Sequence, residues 1–244
     1  MIVRTEGVVL KSFDYRETSR IATFFTQEFG KVSGVLKGIR KDVKKFGSSV
    51  DRFSVNDIVY YRYSRSDLHL ISQCDLKQFY FSIRQDYKRN LAASYALELV
   101  DTIMPAEEPN LKIYQLLQNY LESLQQHKDI DKLVHMFQIK ALLFSGFRPH
   151  VDSCLKCQKK IKGKARFSMK MGGLVCVDCP SSETSFTTIS KGAVSTILHI
   201  EAHKWSDALR LGLTKVVRKE LKYILNNFLV YHLEKKLKSA KYLN

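Results

Sequence analysis

Residues 21–38 read IATFFTQEFGKVSGVLKG, and this stretch decides the class of fold that the sequence predicts. Runs rich in β-branched and aromatic residues flank Gly30, which predicts two strands joined by a tight turn. Similar runs occupy 3–10, 57–63 and 68–79, so the chain opens with five predicted strands. Five strands with one longer interruption between the third and the fourth are typical of an OB-type β-barrel, although other small β-folds share the pattern.

After the strands, the spacing of apolar residues changes from every second position to every third or fourth. This spacing predicts amphipathic helices, and Pro105 and Pro109 separate the first two because proline does not fit a helix interior. We predict helices over 91–103, 111–124, 133–144, 191–199 and 214–237. Strands followed by helices indicate an α+β protein, with an OB-fold domain over 1–80 and a helical domain over 81–244.

The 244 residues carry 40 Lys and Arg against 24 Asp and Glu, a formal charge of +16. The excess lies in three blocks, 1–80 at +5, 153–182 at +6 and 202–244 at +7, around a nearly neutral centre. Clustered positive charge indicates a polyanionic partner, with a merely solvated basic surface as the alternative. The longest uncharged stretch, 223–233, is too short to span a membrane, and the charged N-terminus is unlike a signal peptide. We therefore expect a cytoplasmic protein.

A cationic segment follows the third predicted strand and is the predicted DNA-binding site. Its basic residues are Lys37, Arg40, Lys41, Lys44 and Lys45. Aromatic residues lie nearby in the sequence, namely Phe13, Tyr15, Phe46, Phe53, Tyr60, Tyr61 and Tyr63. A barrel face that combines cations with aromatic platforms can hold a single strand, because phosphates pair with the cations and bases stack on the rings. Most aromatic residues at strand spacing belong to a core, so the basic residues are the firmer prediction.

Four of the five cysteines form two Cys-x-x-Cys pairs, Cys154 with Cys157 and Cys176 with Cys179. Two such pairs, 18 residues apart, predict one tetrahedral Zn²⁺ in a finger over about 152–182; a redox pair or coincidental buried cysteines are the alternatives. Four protein ligands leave no open position, so this zinc would be structural rather than catalytic. The remaining Cys74 is interpreted as a small buried hydrophobic residue.

The sequence predicts no enzyme. It has no glycine-rich phosphate-binding loop and no close pair of carboxylates typical of a metal-dependent nuclease. Asp14 and Glu17 are flanked by Arg16 and Arg20, which favours ion pairs. An RNA-binding factor, or a DNA-processing enzyme as a weaker alternative, remains open, since OB barrels and zinc ribbons also serve RNA. His199, His203 and His232 have no ligand-like partners in the sequence and are interpreted as structural.

The order of several motifs resembles the RecO family of bacterial recombination mediators. The matching motifs include 6–10, 14–21, 37–41, 95–101, 145–149 and Gly172-Gly173 before the second cysteine pair. The resemblance covers nearly the whole chain. It implies an OB domain, a helical domain with a zinc finger, and binding of single- and double-stranded DNA at the nucleoid. It also implies strand annealing and, together with RecR, loading of RecA onto SSB-coated DNA.

The resemblance further implies that the helical domain binds the acidic, Phe-ended C-terminal tail of SSB. The basic block over 202–244 contains cations next to apolar residues, as such a ligand requires. We expect Arg210 or Lys215 to pair with the terminal carboxylate and Leu211 or Leu213 to line a slot for the phenyl ring. The alternative is that these leucines are core residues.

Overall fold

The computed structural model describes residues 1–42, 46, 50–161, 165–180 and 186–243. The chain forms two compact units, Met1–Lys128 together with the end of the chain, and Asp129–Lys241. Within these described ranges, the first unit contains a β-barrel and three α-helices, and the second contains four α-helices and a small three-stranded sheet. This architecture confirms the predicted α+β class.

Antiparallel and parallel pairings close the first five strands into a barrel. The strands are β1 (Ile2–Tyr15), β2 (Ser19–Thr26), β3 (Gly30–Leu36), β4 (Ser54–Tyr61) and β5 (Leu68–Phe79). Their order around the barrel is β1-β2-β3-β5-β4; β3 and β5 pair in parallel, and the other neighbours are antiparallel. This closed five-stranded arrangement, with the long connection between β3 and β4, confirms the predicted OB-type barrel.

Barrel closure depends on a close approach between β3 and β5. Ser33 lies opposite Leu68, and Val35 lies opposite Leu70. Between them, a Cβ atom added to Gly34 would lie 2.6 Å from the Cγ1 atom of Ile71, well inside van der Waals contact. A glycine is therefore needed where the two strands meet.

The core of the barrel includes side chains from the connection between β3 and β4. Ile39, Phe46 and Val50 are buried in the same cluster as the strand residues Phe24 and Cys74. Because these three side chains point into the barrel, the connection is held across its end. Cys74 is completely buried, which confirms its interpretation as a core residue.

Three helices pack with the barrel in the first unit, namely α1 (Phe81–Gln85), α2 (Tyr87–Ile103) and α3 (Leu111–Gln126). The α2–α3 loop passes so close to the β2–β3 turn that a Cβ atom on Gly30 would lie 2.1 Å from the Glu108 oxygen. The Lys31 ammonium donates to the Asp101 carbonyl (2.6 Å), and the Tyr114 hydroxyl donates to the Glu6 carboxylate (2.6 Å). These contacts hold residues 81–128 against the barrel. The domain boundary after residue 80 stays a prediction.

The second unit is organised around a central helix. Its helices are α4 (Ile130–Phe144), α5 (Lys191–Ala202), α6 (Trp205–Ala208) and α7 (Lys215–Leu233). Residues 133–142 of α4 are all buried. The Lys140 ammonium donates to the carbonyls of Glu201 (3.1 Å) and His203 (2.5 Å) at the end of α5, and burial lowers the pKa of Lys140. A buried lysine on α4 thus caps another helix by binding its terminal carbonyls.

The helix predicted over 214–237 ends earlier, at Leu233. Glu234 takes a left-handed backbone conformation (φ 50°), which stops the helix in the manner of a C-terminal cap.

The interpretation of the histidines as structural agrees with their contacts. The rings of His199 and His203 stack 4.0 Å apart, and the His232 Nε2 atom lies 3.1 Å from the Met169 carbonyl.

Asp129 ties the start of α4 to α7. Its carboxylate accepts the backbone N–H of Lys132 (3.2 Å) as a helix cap and two hydrogen bonds from the Arg218 guanidinium (2.6 and 2.5 Å). The hydrogen bonds from Arg218 lower the pKa of the Asp129 carboxyl. A carboxyl whose pKa is lowered on folding stabilises the protein above its unfolded pKa, and this stabilisation is lost as falling pH protonates it.

We predict that Asp129→Ala lowers the free energy of unfolding by about 1–2 kcal/mol at pH 7, the usual cost of losing a helix cap. The deficit should shrink on acidification below about pH 4, because the carboxyl is protonated first in the unfolded protein and then, below its lowered pKa, in the folded protein as well. Urea unfolding at several pH values measures both effects. Asp131→Ala is the matched control, since Asp131 is exposed on the same helix turn, and it should cost less. An equal loss of stability in both variants would contradict the role given to Asp129.

Candidate metal centre and nucleic-acid interface

The four predicted metal ligands converge in a small sheet of the second unit. The sheet has the order β7-β6-β8, with β6 (Ala165–Ser168), β7 (Gly173–Cys176) and β8 (Phe186–Ile189). Cys154 and Cys157 lie in a turn before β6, Cys176 ends β7, and Cys179 follows it. Each strand has only four residues, so this part of the unit has little core of its own.

The sulfur atoms have the spacing of a tetrahedral thiolate site. All four Sγ atoms lie within 4.8 Å of one another, and the Cys154–Cys179 and Cys157–Cys176 separations are both 3.9 Å. Zn–S bonds of about 2.3 Å in a tetrahedron require sulfur separations of about 3.8 Å. Two of the separations match this value, and the cluster as a whole is compact enough for the four cysteines to hold one metal ion.

Backbone N–H groups from the first turn and from the end of β7 point at the Cys154 sulfur. Lys156 N lies 3.4 Å and Cys176 N lies 3.3 Å from the Cys154 Sγ atom. Burial is the largest single influence on the pKa of Cys154 and raises it, but the N–H donors of Cys157, Cys176 and Lys156 together lower the pKa to about 6. Donors aimed at Cys154 therefore favour the thiolate that a metal requires.

Two glycines allow the halves of the finger to meet. Gly172 has a φ of +75°, and a Cβ atom on Gly173 would lie 2.4 Å from the His150 carbonyl oxygen. His150 N donates to the Gly172 carbonyl, and Leu174 N donates to the His150 carbonyl, each at 2.9 Å. These contacts explain why the Gly172-Gly173 motif stands before the second cysteine pair.

Arg166 holds the backbone of the second cysteine pair through hydrogen bonds. Its Nη2 atom donates to the carbonyls of Cys176 and Cys179, both at 2.9 Å. Its guanidinium also lies 4.7 Å from the centroid of the Phe186 ring. Arg166 thus positions both ligands of this pair from outside the sulfur cluster, as supporting residues do at metal sites.

The structure brings three of the predicted DNA-binding residues to one end of the barrel. Lys37, Arg40 and Lys41 are exposed in the segment that leaves β3. Arg40 N donates to the Thr18 carbonyl (3.0 Å), and the Arg40 side chain donates to the Arg16 carbonyl (3.2 Å), so the segment lies against the β1–β2 turn. Lys44 and Lys45, also predicted, lie outside the described residues.

The cations at this end of the barrel differ in how they are held. The Arg40 Nε atom lies 3.5 Å from an oxygen of the Asp14 carboxylate, which also pairs with Arg20 (3.1 Å). Lys37 and Lys41 make no ion pair with any described residue. The Asp14–Arg20 contact confirms that Asp14 serves an ion pair, as the sequence indicated. Lys37 and Lys41 remain available to bind phosphate groups.

The aromatic residues that the sequence placed near these cations differ in exposure, and Tyr15 is half-buried. Phe46, Phe53 and Tyr60 are buried in the barrel or beneath its connection, as the core alternative predicts. The exposed ones are Phe13, Tyr61 and Tyr63. Only exposed rings can stack on bases, so the platforms available to nucleic acid are fewer than the sequence pattern suggests.

Sequence reasoning did not predict that a groove adjoins the cationic segment. Arg20, Arg52 and Arg84 surround a groove of about 410 Å³ together with Asp14 and Asp51. Arg84 and Asp51 form an ion pair at 3.2 Å although 33 positions separate them. No local sequence pattern predicts such a pair, because the pair forms only when α1 packs beside the barrel.

The predicted partner-binding residues lie on the segment between α6 and α7 and at the first residue of α7. Arg210 and Lys215 are exposed, and Leu211 and Leu213 are half-buried, so neither leucine belongs to the fully buried core. Carbonyls of the segment are bound by two cations. The Lys132 ammonium donates to Leu209 (2.8 Å) and Leu211 (3.4 Å), and the Arg218 Nε atom donates to Leu213 (3.2 Å). These hydrogen bonds hold the backbone of the segment and leave the side chains of Arg210 and Lys215 exposed.

Comparison with known families assigns both parts of the chain. The family model for the N terminal of Recombination protein O matches residues 1–80, and the model for its C terminal matches residues 84–241. The chain belongs to the RecO family. RecO proteins act in DNA repair and recombination. The four-cysteine cluster fits the zinc finger that the resemblance implied.

Curated RecO relatives cover essentially the whole chain. The DNA repair protein RecO of Desulfatibacillum aliphaticivorans is 32% identical over 247 residues, which is 99% of this chain and 96% of the relative. That of Syntrophus aciditrophicus is 31% identical over 99% of this chain and 95% of its own. That of Moorella thermoacetica is 29% identical over 100% of this chain and 91% of its own. Across the described parts of this RecO-family chain, every helix is too short or too polar to cross a membrane.

We predict that Cys176→Ser abolishes stoichiometric metal binding and lowers the stability of the second unit by several kcal/mol, because metal binding energy at such a site is folding energy. Elemental analysis after metal-sufficient expression measures the metal, and thermal unfolding measures the stability. Cys74→Ala is the matched control. It removes a cysteine from the barrel core and should destabilise the protein without reducing its metal content. Equal metal content in wild type and Cys176→Ser would refute the site.

Proposed function

We propose that this RecO-family protein is a non-enzymatic mediator that binds single- and double-stranded DNA and anneals complementary strands at the nucleoid. With RecR, it helps to load RecA onto SSB-coated DNA. The observation that carries this proposal is the exposed cationic end of the barrel, where Lys37, Arg40 and Lys41 lie together beside the β1–β2 turn. The RecO membership of the chain supports the role in repair.

Binding at this end of the barrel is electrostatic. Lys37 and Lys41 replace condensed counterions on phosphates, which supplies affinity without reading the sequence. Arg40 is oriented by Asp14 and by the Arg16 carbonyl, so it presents its guanidinium in a set direction. Neutralising phosphates on two strands lowers their mutual repulsion. Annealing therefore needs no nucleotide hydrolysis, in accord with a protein that is not an enzyme.

The proposed metal of the finger is one structural Zn²⁺. Four thiolates favour a soft or borderline ion, and tetrahedral S₄ geometry is diagnostic of zinc or of an iron–sulfur site. Cys154, Cys157, Cys176 and Cys179 would hold the ion, which supplies a cross-link between the two turns. Arg166 fixes the carbonyls of the second pair, so the protein itself sets the geometry of the ligands.

We also place the SSB tail on the segment between α6 and α7. Lys215 is the first residue of α7, and the N-terminal end of a 19-residue helix attracts a carboxylate. Arg210 is exposed on the same segment, and the half-buried Leu211 and Leu213 offer apolar surface to a phenyl ring. These features support one short acidic ligand that ends in phenylalanine.

For DNA binding, we predict that Lys37→Glu/Lys41→Glu weakens the affinity for single strands regardless of their sequence. The slope of log affinity against log salt should fall by about 0.7 for each phosphate that is no longer neutralised, or about 1.4 for two phosphates. Fluorescence anisotropy of a labelled oligonucleotide across a salt series measures both quantities. The matched control is Lys88→Glu/Lys128→Glu, which makes the same change of charge at exposed lysines of the neutral centre. It should leave the salt slope close to the wild-type value.

An unchanged slope in Lys37→Glu/Lys41→Glu would move the DNA site elsewhere on the protein. The same double variant should anneal complementary SSB-coated strands more slowly than wild type does, in the absence of nucleotide. Competition by single-stranded RNA in the anisotropy titration tests the alternative function. RNA that competes better than DNA of the same sequence would favour an RNA-binding factor.

For the partner, we predict that Arg210→Glu weakens binding of an acidic, Phe-ended peptide at least several-fold. Wild-type binding should itself be salt-sensitive, because a short flexible tail loses entropy on binding and depends on screened charge. Lys204→Glu is the control, since Lys204 is exposed on the same unit but lies before α6. Equal affinity of wild type and Arg210→Glu would reject this site, and failure of the wild type to bind would reject the partner.

A further inference from the structure

The groove of about 410 Å³ in the first unit is next to the cationic segment but is built from other residues. Its lining includes Phe13, Asp14, Arg20, Asp51, Arg52 and Arg84. The volume falls within the range of about 300–1,000 Å³ that is usual for small-ligand sites. Arg40 pairs with Asp14, one of the lining residues, so the groove continues the surface that carries Lys37 and Lys41.

Two of the three arginines are held in place before any ligand binds. The Arg20 Nε atom donates to an Asp14 oxygen (3.1 Å), and an Arg20 Nη1 atom lies 3.8 Å from an Asp51 oxygen. The other Asp51 oxygen accepts from Arg84 (3.2 Å). The two carboxylates therefore order the walls of the groove, and this reduces the entropy that a ligand must overcome on binding.

The segment that carries Asp51 and Arg52 is clamped in an unusual backbone conformation. Val50 and Phe53 both have positive φ values, 54° and 66°, although neither is glycine or asparagine. Both side chains are buried, so they anchor the segment at its two ends. Left-handed backbone at such residues is costly and tends to be kept at functional sites. The result is that Arg52 projects outward at the groove between two buried anchors.

Arg52 and Phe13 are the groove residues that offer open surface to a ligand. The Arg52 guanidinium lies 5.4 Å from the centroid of the Phe53 ring and makes no ion pair with any described residue. Phe13 is 52% exposed, although it stands within a barrel strand and pairs with Ile21. A guanidinium that no described carboxylate neutralises and a bare aromatic ring match the two parts of a nucleotide, its phosphate and its base.

We propose that this groove is a nucleotide subsite, in which one base of a bound single strand stacks on Phe13 and an adjacent phosphate pairs with Arg52. This proposal rests on the proposed binding of single strands. It adds to that binding one contact that requires a base, in addition to the contacts with phosphates. Lys37 and Lys41 attract the backbone of the strand, whereas the groove fixes one nucleotide within it.

The test uses the full chain and two polymers of equal length, oligo(dT) and the same sugar-phosphate backbone without bases. Phe13→Ala should bind oligo(dT) about 5- to 100-fold more weakly than wild type does, because one base no longer stacks on a ring. The salt slope should not change, since the same phosphates stay bound. On the abasic polymer, Phe13→Ala and wild type should bind equally. Arg52→Gln should weaken binding to both polymers and lower the salt slope by about 0.7.

Tyr223→Ala is the matched control for removal of an exposed aromatic ring. Tyr223 is exposed on α7 in the second unit, and its truncation should leave binding to oligo(dT) unchanged. Phe13→Trp should restore wild-type affinity, and thermal unfolding should show that every variant is folded. If wild type fails to bind oligo(dT), the proposed function itself fails. If wild type binds but Phe13→Ala binds equally well, or weakens equally on the abasic polymer, the subsite is overturned and DNA binding stands.

Discussion

The parallel pairing of β3 with β5 is the constraint on which the rest of the first unit depends. The connection between β3 and β4 contributes Ile39, Phe46 and Val50 to the core of this closed barrel. The exposed Arg40 and Lys41 directly follow Ile39, the first of these anchors. The position of these two cations therefore depends on how the barrel is closed, and poorer packing at Gly34, where β3 meets β5, would disturb both the closure and the cations.

The finger of the second unit meets a different constraint. Three four-residue strands bury too little apolar surface to offset the entropy of ordering them. Four cysteines that can bind one metal ion offer a substitute for the missing core, and the surrounding contacts hold them in place for it. Gly173 lets His150 approach, Arg166 binds the carbonyls of the second cysteine pair, and N–H groups point at Cys154. In the same unit, Lys140 of α4 binds the carbonyls at the end of α5, which have no partner within that helix.

Local patterns predicted the five strands, the long helices and the four-cysteine cluster, because each depends on residues close together in the sequence. The packing of α1–α3 beside the barrel was beyond such patterns, since it follows from single contacts such as Tyr114 with Glu6, 108 positions apart. The groove was missed for the same reason, because Arg84 reaches Asp51 only through the fold. Composition could not separate the buried Phe53 from the exposed Phe13, as both stand in strand-like surroundings. Positive φ at Val50 also has no sequence signal, because that conformation normally marks glycine or asparagine.

The two kinds of cation on the barrel suit different steps of binding a charged strand. Lys37 and Lys41 carry compact, strongly hydrated charges on flexible side chains and make no ion pair with a described residue. Their attraction for a charged strand therefore extends into the solvent, over a distance that decreases as the salt concentration rises. Arg20 and Arg84 are already fixed by Asp14 and Asp51, and their planar guanidinium groups favour a defined geometry over long-range attraction. Carboxylates among the arginines reduce the net charge of the groove, which weakens non-specific attraction there. On the proposed function, the lysines attract any polyanion, whereas the groove holds one nucleotide of the bound strand in a defined position.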